Sequence, residues 1–419
     1  VTTLNIIDEL TWRGLIYQQT NPTAFKAKVE TEKITIYVGF DPTADSLHIG
    51  HLVPYLALQR FLQYGHQVIV LVGGGTGQIG DPSGRSAERN LLSVKQIAHN
   101  VAAVKKQIQQ LLQTDDIIFV DNNEWLAQLS LVDFLRDYAK HMNVNTMLSR
   151  ESVQGRLEDG ISFTEFTYQA LQAIDFYELN QRYNCTVQAG GSDQWGNIVS
   201  GIDLIRKLSG GNVETFGLTF PLVKKADGTK FGKTASGAVW LAADKTSPYD
   251  FYQFWINTSD ADVINYLKIF TFLNKAEITT YEQAVIEAPH ARQAQKYLAA
   301  AVTEIVHGKE ALERALKITD ALFTGNIADL TAAELTDALK DGTTFTYTGE
   351  GKILDVLTEL GIISSKRQGR EFLQNGALHI NGERMTDEDF VLSAEKAIDG
   401  QLSVVRRGKK NYSIIKHIN

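Results

Sequence analysis

Cysteine is all but missing from this chain: its 419 residues hold one, Cys185. A single thiol excludes an intramolecular disulfide framework and a multi-cysteine zinc site, and it suits a reducing compartment, with cytoplasm as the expectation. Long apolar runs are lacking as well, and none approaches the length of a membrane span. The opening Val-Thr-Thr-Leu-Asn-Ile-Ile-Asp-Glu-Leu has acids and no basic stretch leading into an apolar one, so no signal peptide is expected. Nor is there an excess of positive charge. With 41 Lys and Arg against 49 Asp and Glu, the formal net charge of −8 excludes a protein that is basic all over, while leaving room for local basic patches on a nucleic-acid face. What remains is an ordinary soluble composition and a length that suits roughly two to four domains.

The most informative stretch is Thr35-Ile-Tyr-Val-Gly-Phe-Asp-Pro-Thr-Ala-Asp-Ser-Leu-His-Ile-Gly-His51. Ile34 to Val38 reads as a buried strand, a loop punctuated by Gly, Pro and Asp follows, and Ile49 to Leu62 carries apolar residues at helical spacing. His48, Gly50 and His51 therefore sit where a strand hands over to a helix. The first turn of such a helix offers unpaired NH groups and the positive end of the dipole, a seat for phosphate. Two imidazoles there can donate to phosphate oxygens, and Gly50 leaves room for a flat base. A pair of histidines capping an ordinary helix is the plainer alternative.

Residues 4 to 28 read as helical on Leu4, Ile7, Leu10, Leu15 and Ile16. Gln67 to Val72 gives a second strand, so strand, helix and strand make a βαβ unit and imply a parallel sheet. The run after it, Gly73-Gly-Gly-Thr-Gly-Gln-Ile-Gly80, places Gly75, Gly77 and Gly80 at the spacing of a dinucleotide fingerprint. That reading fails on context. Asp81-Pro-Ser-Gly84 breaks the chain at once, and an amphipathic helix, Val94 to Leu112, stands where the acidic strand end should be. The glycines still imply a close backbone approach, with substrate as the expected visitor, and Asp81 becomes a candidate for an ammonium group.

After a short strand at Ile117 to Val120, residues 125–165 mix helix and loop like an insertion, with Phe163 and Phe166 in a core or at a subunit contact. On the helix that follows, Tyr168, Gln172 and Asp175 lie at i, i+4 and i+7, a polar stripe able to line a pocket. A further strand, Thr186 to Ala189, ends in Gly190-Gly-Ser-Asp-Gln-Trp-Gly196 before a helix from Asn197 to Leu208. Ligands of open α/β sheets bind outside the carboxyl ends of the strands, so this turn and the histidine turn should flank one crevice. There Asp193 suits a ribose hydroxyl, and Gln188 and Gln194 suit polar groups of a small substrate.

Lys224, Lys225, Lys230 and Lys233 fall in a turn-rich loop with Asp227-Gly228 and Gly232, able to clamp a triphosphate and neutralise a leaving group. Residues 248 to 340 read as helices without a catalytic constellation, and Thr343 to Gly351 as a linker. Beyond Lys352 come the basic helix Ser365 to Gln374, a strand, the hairpin turn Asn381-Gly382, and a tail holding Arg406, Arg407, Lys409, Lys410 and Lys416. That pattern fits contacts with an RNA backbone.

These residues resemble the bacterial tyrosyl-tRNA synthetases, of the class I aminoacyl-tRNA synthetases, over essentially the whole chain. The likeness is carried by His48-Ile-Gly-His51, by Lys230-Phe-Gly-Lys-Thr234 as a variant of the second class signature, and by Gly191-Ser-Asp-Gln-Trp195 between them. Residues 364–384 look like an S4-type RNA-binding module. The resemblance implies a doubly wound, Rossmann-like α/β catalytic domain at 1–222 with the insertion at about 125–165, and a lysine loop and linker at 223–247. It further implies an α-helical anticodon-side domain at 248–340 and a small α+β S4-like domain at 352–419.

It implies the reaction too. Tyrosine and ATP give tyrosyl-adenylate and pyrophosphate, and the tyrosyl group then passes to the 3′ end of tRNA(Tyr). By the family's pattern His48, His51, Lys230, Lys233 and Thr234 are catalytic, with Lys225 a helper. Tyr37 and Asp175 meet the phenol hydroxyl; Asp81, Tyr168 and Gln172 meet the ammonium; and Gln188 and Gln194 complete the tyrosine site. Asp41, Thr43, His48, Gly50, His51, Asp193, Lys230 and Lys233 hold ATP. Lys366, Arg367, Arg370, Arg406, Arg407, Lys409 and Lys410 face tRNA, and Arg85 and Arg89 fall where the family carries basic residues near the phosphates and the tRNA end. Magnesium is expected with ATP, no protein metal cluster appears, and a homodimer bridged by tRNA is implied. Two rivals stand beside this reading. A tryptophanyl sibling would have no use for a phenol pair and lacks the S4-like tail. A non-catalytic RNA-binding protein on the same scaffold would not need His48, His51, Lys230 and Lys233.

Overall fold

Apolar runs rich in β-branched residues build the central sheet, and glycines and capped helices turn the chain between its strands. The computed structural model describes residues 5–84, 92–112, 114–229, 231–234, 237–340, 342–408 and 411–418, with the backbone alone for Lys233 and Thr234. The chain divides into two compact units, Val1–Thr246 with Ile256–Val306, and Ser247–Trp255 with His307–Asn419.

The first unit is a six-stranded sheet of β1 (Gln18–Gln19), β2 (Thr35–Phe40), β3 (Gln67–Val72), β4 (Ile117–Asp121), β5 (Val187–Gly191) and β6 (Phe216–Phe220), in the order β1-β6-β5-β2-β3-β4. All neighbours are parallel except β1 on β6. Tyr37 on β2 stands between Ile69 and Gln188 of its two neighbours. From β2 the chain winds outward through β3 and β4, then returns to the other side of β2 as β5. The sheet is doubly wound, and its switch point lies between β2 and β5. Helices α1 (Ile6–Trp12), α2 (Pro22–Thr31), α3 (Leu52–Gln63), α4 (Val94–Leu112), α5 (Phe163–Tyr183) and α6 (Trp195–Leu208) accompany the sheet.

Local chemistry explains the ends. The Ser162 side chain accepts from the Glu165 N–H to start α5, and Asn184, left-handed at φ 50, stops it. The expected single helix over residues 4 to 28 is a misreading: Gly14 at φ +73 ends α1, and Asn21 caps α2 with Pro22 in its first turn. Periodicity alone passes over such breakers, and β1 lies between the two helices. Strand β6 escapes the sequence reading because Gly217 interrupts it. A Cβ there would come within 2.5 Å of Ile198 Cγ2, so glycine is what lets α6 lie against the sheet.

The second unit is built on a five-stranded sheet in the order Glu383–Arg384, Leu378–Ile380, Leu402–Arg407, Asn411–Ile418, Thr343–Thr348. The last of these corrects the linker reading. Thr343-Thr-Phe-Thr-Tyr-Thr348 alternates threonine with aromatics, a strand composition, and pairs in parallel with Ser413–Ile418. One sheet layer packs Ile353, Leu357, Ile363 and Leu373 together with Leu378 and Val405. The other packs Ile318, Ala321 and Leu335 against Leu402, Val404 and Ile414. Helices from Lys309 onward therefore belong with the C-terminal sheet, which places the division inside the helical stretch 248–340. Cutting the chain at Lys352 would uncover Ile318 and Leu335, each worth about 1.5–3 kcal/mol when buried.

His307 in this unit meets Phe251 edge to face, with ring centroids 4.7 Å apart. Burial lowers its imidazole from 6.5 to about 4. The unfolded chain takes up that proton first as the pH falls, so the imidazole's contribution to stability is lost between about 6.5 and 4. The stability margin of the wild type over His307→Gln should accordingly shrink by about 2 kcal/mol between pH 7 and pH 5. Denaturant melts at the two pH values check this, and a constant margin would contradict it.

Candidate active site

At the carboxyl ends of β2 and β5 lies a cavity of about 500 Å³ in the first unit. The histidine turn lines it with His48, Gly50 and His51, and the turn after β5 with Gly190, Gly191, Asp193 and Gln194. Both turns flank one crevice, at the switch point. Asp41 and Thr43 from the loop after β2, Asp81, and the α5 stripe of Tyr168, Gln172 and Asp175 line it as well.

Tyr37 and Asp175 lie among the most enclosed lining groups. Asp175 is 2% exposed, and burial pushes its carboxyl up to about 8. Trp125 Nε1 donates to one carboxylate oxygen at 2.8 Å and Asn122 Nδ2 to the other at 2.9 Å, partly opposing that shift. Each oxygen keeps a lone pair for a further donor. Tyr37 Oη is buried with no hydrogen-bond partner among the described residues, and burial, followed by the neighbouring Asp175, raises the phenol well above its ordinary range. An orphaned hydroxyl beside a carboxylate with spare lone pairs asks for a ligand carrying its own hydroxyl.

A second polar group surrounds Asp81. Gln194 Nε2 donates to Asp81 Oδ2 at 2.8 Å, and the Ser83 backbone donates to Oδ1. Asn197 Nδ2 joins Gln172 Oε1 and Gln194 Oε1, at 3.0 and 3.2 Å. Tyr168 Oη and Thr76 Oγ1 each donate to Asp41 at 2.7 Å. The result is a mostly acceptor-rich patch with two carboxylates, suited to a cation such as an ammonium.

The histidine turn has its own logic. His48 Nδ1 accepts from the Gly50 N–H, and His51 Nδ1 accepts from the His48 N–H. With both Nδ1 atoms engaged as acceptors, each neutral ring carries its proton on Nε2 as a donor. Desolvation, followed by the His48 charge, lowers His51 to about 3. The rings lie 3.9 Å apart.

The lysine signature reaches the same place through its backbone. Ile49 N–H donates to Val239 O and Val239 N–H to Gly232 O, at 3.0 and 3.1 Å. The short strands Lys233–Thr234 and Gly237–Ala238 pair as a hairpin between these contacts. Lys230, Arg85, Arg89, Lys409 and Lys410 lie outside the described residues, as do the side chains of Lys233 and Thr234.

Two expectations need correction. Gln188 is not among the residues lining the cavity; it is 2% exposed, and its Oε1 faces Gly201 of α6. It sits beside Tyr37 on the sheet, but α6 covers its side chain. The glycines after β3 are approached by protein and not by substrate: a Cβ on Gly73 would lie 2.3 Å from Asp41 Oδ1, and one on Gly74 2.3 Å from Asp121 Oδ1. Asn122, Trp125, Thr76 and Asn197 escaped the sequence reading. The polar run Asp121-Asn122-Asn123 at the carboxyl end of β4 was the available signal.

In the second unit Lys366 pairs with Asp355, Arg370 pairs with Glu388 at 2.8 Å, and Arg367 is exposed on the same helix. Arg407 donates to the Ile362 carbonyl, and Arg406 packs by Gly325, both half-buried on their strand. These two arginines have structural contacts within their own unit.

Residues 29–324 match the family of class I tRNA synthetases for W and Y, and residues 334–415 match a tyrosine–tRNA ligase SYY-like C-terminal domain. Among solved structures, the chain is 32% identical to a C-terminally truncated mitochondrial tyrosyl-tRNA synthetase of Aspergillus nidulans, covering 77% of this chain and 95% of that one at a TM-score of 0.70. The counterpart from Coccidioides posadasii is also 32% identical, with 75% and 92% covered and a TM-score of 0.68. A tryptophan-bound tryptophanyl-tRNA synthetase of Encephalitozoon cuniculi shares the fold at 13% identity, with 73% and 87% covered and a TM-score of 0.56.

Proposed function

The chain belongs to the class I tRNA synthetases and, within them, to the tyrosyl-tRNA synthetases, and from that premise we propose how its cavity serves the reaction. The supporting observation is the buried pair of Tyr37 and Asp175 lining the same cavity as the His48–His51 turn. Tyrosine enters with its phenol donating to Asp175 and meeting Tyr37, and with its ammonium against Asp81, Gln172 and Tyr168. ATP binds as its magnesium complex, with Asp41 and Thr43 near it, ribose against Asp193, and a base over Gly50.

The tyrosine carboxylate then attacks the α-phosphorus. A carboxylate–phosphorus bond forms, the bond to the bridging oxygen breaks, and pyrophosphate departs. No side chain need act as nucleophile, so the protein's contribution is orientation and charge stabilisation. His48 and His51 offer Nε2–H donors to phosphate oxygens, and Lys230, Lys233 and Thr234 neutralise the leaving pyrophosphate. The terminal ribose hydroxyl of the tRNA next attacks the acyl carbon and releases AMP. Lys366, Arg367 and Arg370 form the RNA-facing helix, supported by Arg406, Arg407, Lys409 and Lys410 in the tail.

ATP–pyrophosphate exchange without tRNA, run with each standard amino acid, tests this reading. Exchange with tyrosine alone supports the pocket. Exchange with tryptophan, or none at all, overturns it.

The same reading includes a homodimer. Leu131, Val132 and Phe163 are 71%, 67% and 76% exposed, unusual for large apolar side chains. Burying these side chains against a second copy would account for their exposure. Phe163→Asp is expected to raise the dimer dissociation constant at least about tenfold, since desolvated aromatics dominate interfaces. Sedimentation equilibrium of both proteins checks it, and unchanged association would place the contact elsewhere.

A further inference from the structure

The helix Asp260–Phe270 lies in the first unit, and two buried arginines grip its C-terminal carbonyls. Arg13 donates to Lys268 O, Thr271 O and Leu273 O at 2.8, 3.1 and 2.7 Å. Arg60, on α3, donates to Ile269 O and Thr271 O at 3.1 and 2.6 Å. Positive charge at that end is where the helix dipole favours it, and a planar fork of donors satisfies several carbonyls at once. Since α3 is the helix that the histidine turn opens, the helix Asp260–Phe270 is tied to the element that carries His48 and His51.

Asp262, Tyr266 and Phe270 fall at i, i+4 and i+8, one face of that helix. All three touch the lysine signature or the residues just before it. Ala226 N–H donates to Asp262 Oδ1 at 2.7 Å. The Phe231 ring stands edge-on to Tyr266, centroids 5.1 Å apart, and stacks on Phe270 at 5.4 Å with 19° between planes. Phe231 also lines the substrate cavity. The next residue, Gly232, adopts φ +81, and a Cβ there would meet Ile49 Cγ1 at 3.1 Å. Thus the chain is tied to the helix at Phe231 and to the histidine turn at Gly232, within two consecutive residues.

We propose that Phe231 is a positioning residue for adenylation: its ring, lodged on Tyr266 and Phe270, sets the backbone that presents Lys233 to the pyrophosphate. The inference rests on the reading of Lys233 as stabiliser of the leaving group. The physical reason is geometric, because a displacement of about 1 Å in a charge-stabilising group costs on the order of a hundredfold in rate. The Phe231 side chain carries no charge of its own to offer the departing pyrophosphate. A double-mutant cycle separates an effect passed through Lys233 from direct packing of the ring against a bound substrate, since Phe231 also lines the cavity.

The test is a double-mutant cycle in ATP–pyrophosphate exchange, using the full chain as wild type, Phe231→Ala, Lys233→Ala and the double variant. Phe231→Ala is expected to lower kcat roughly 10- to 100-fold while leaving KM for tyrosine within about twofold. On a Lys233→Ala background the same change should add less than about threefold, because both act through one group. Phe231→Leu, which keeps an apolar side chain on Tyr266, should regain most of the rate. A slow Lys233→Ala protein on which Phe231→Ala still adds its full factor overturns this inference alone. A Lys233→Ala protein as fast as wild type overturns the lysine reading and this inference with it. A Phe231→Ala protein as fast as wild type, or one whose KM for tyrosine rises by the factor that kcat falls, also overturns it. Tyr266→Leu loosens the ring from the other side and is expected to reproduce the kcat loss, which serves if Phe231→Ala does not fold.

Discussion

Asparagine at position 175 is expected to lower kcat/KM for tyrosine by roughly a hundredfold, about 3 kcal/mol, while leaving the chain folded. The substitution keeps shape and replaces a group that accepts through both of its oxygens. Asn122 Nδ2 and Trp125 Nε1 donate to the two oxygens of Asp175. An amide in that place can accept from only one of them and must turn its own N–H toward the other. A buried donor facing a donor costs about 1–3 kcal/mol, and the phenol loses a hydrogen-bond acceptor worth about 0.5–1.5 kcal/mol. Phenylalanine should lose far less, since it offers no hydroxyl to that site. The measurement is amino-acid-dependent ATP–pyrophosphate exchange with tyrosine and phenylalanine in parallel. Equal losses for both amino acids would mean that Asp175 supports the pocket wall and does not read the hydroxyl.

Lys233→Ala is expected to lower the adenylation rate about 10²- to 10³-fold with little change in tyrosine affinity, because its charge meets negative charge that grows on the leaving pyrophosphate. The residue lies on the short strand Lys233–Thr234, and its neighbour Gly232 is bonded through Val239 to Ile49. That ladder brings the lysine signature to the histidine turn, far from the Tyr37 and Asp175 end in sequence and in chemistry. Pre-steady-state adenylate formation together with equilibrium tyrosine binding separates the two effects. A loss confined to tyrosine binding would remove Lys233 from the chemical step.

Part of this molecule is legible from residues near one another in the chain. Strand β2, the loop after it and the histidine turn are adjacent, and the strand-to-helix handover alone implies their arrangement. The α5 stripe is equally local, because Tyr168, Gln172 and Asp175 share a face through helical spacing, and all three line the cavity. Even the joining of two distant turns at one crevice follows from a general property of open parallel sheets. Where reading went astray, the cause was tertiary. Gln188 alternates along β5 as a substrate-facing residue might, yet α6 covers it through the glycine at position 201. Thr343 to Thr348 has the turn-like company of Gly349 and Gly351, and only its pairing with Ser413–Ile418 makes it a strand.

Sequence by itself determined the family, the doubly wound sheet and the turns that carry the chemistry, because each rests on short-range spacing and on residue types that few other sites require. Tertiary structure alone decided what surrounds those groups. Asn122 and Trp125 reach Asp175 across 53 and 50 positions of sequence, and Phe231 finds Tyr266 and Phe270 on a helix beyond the lysine loop. No local pattern encodes such meetings: they depend on which side chains the packed sheet and helices leave facing one another, and burial then sets their charge and hydrogen bonding.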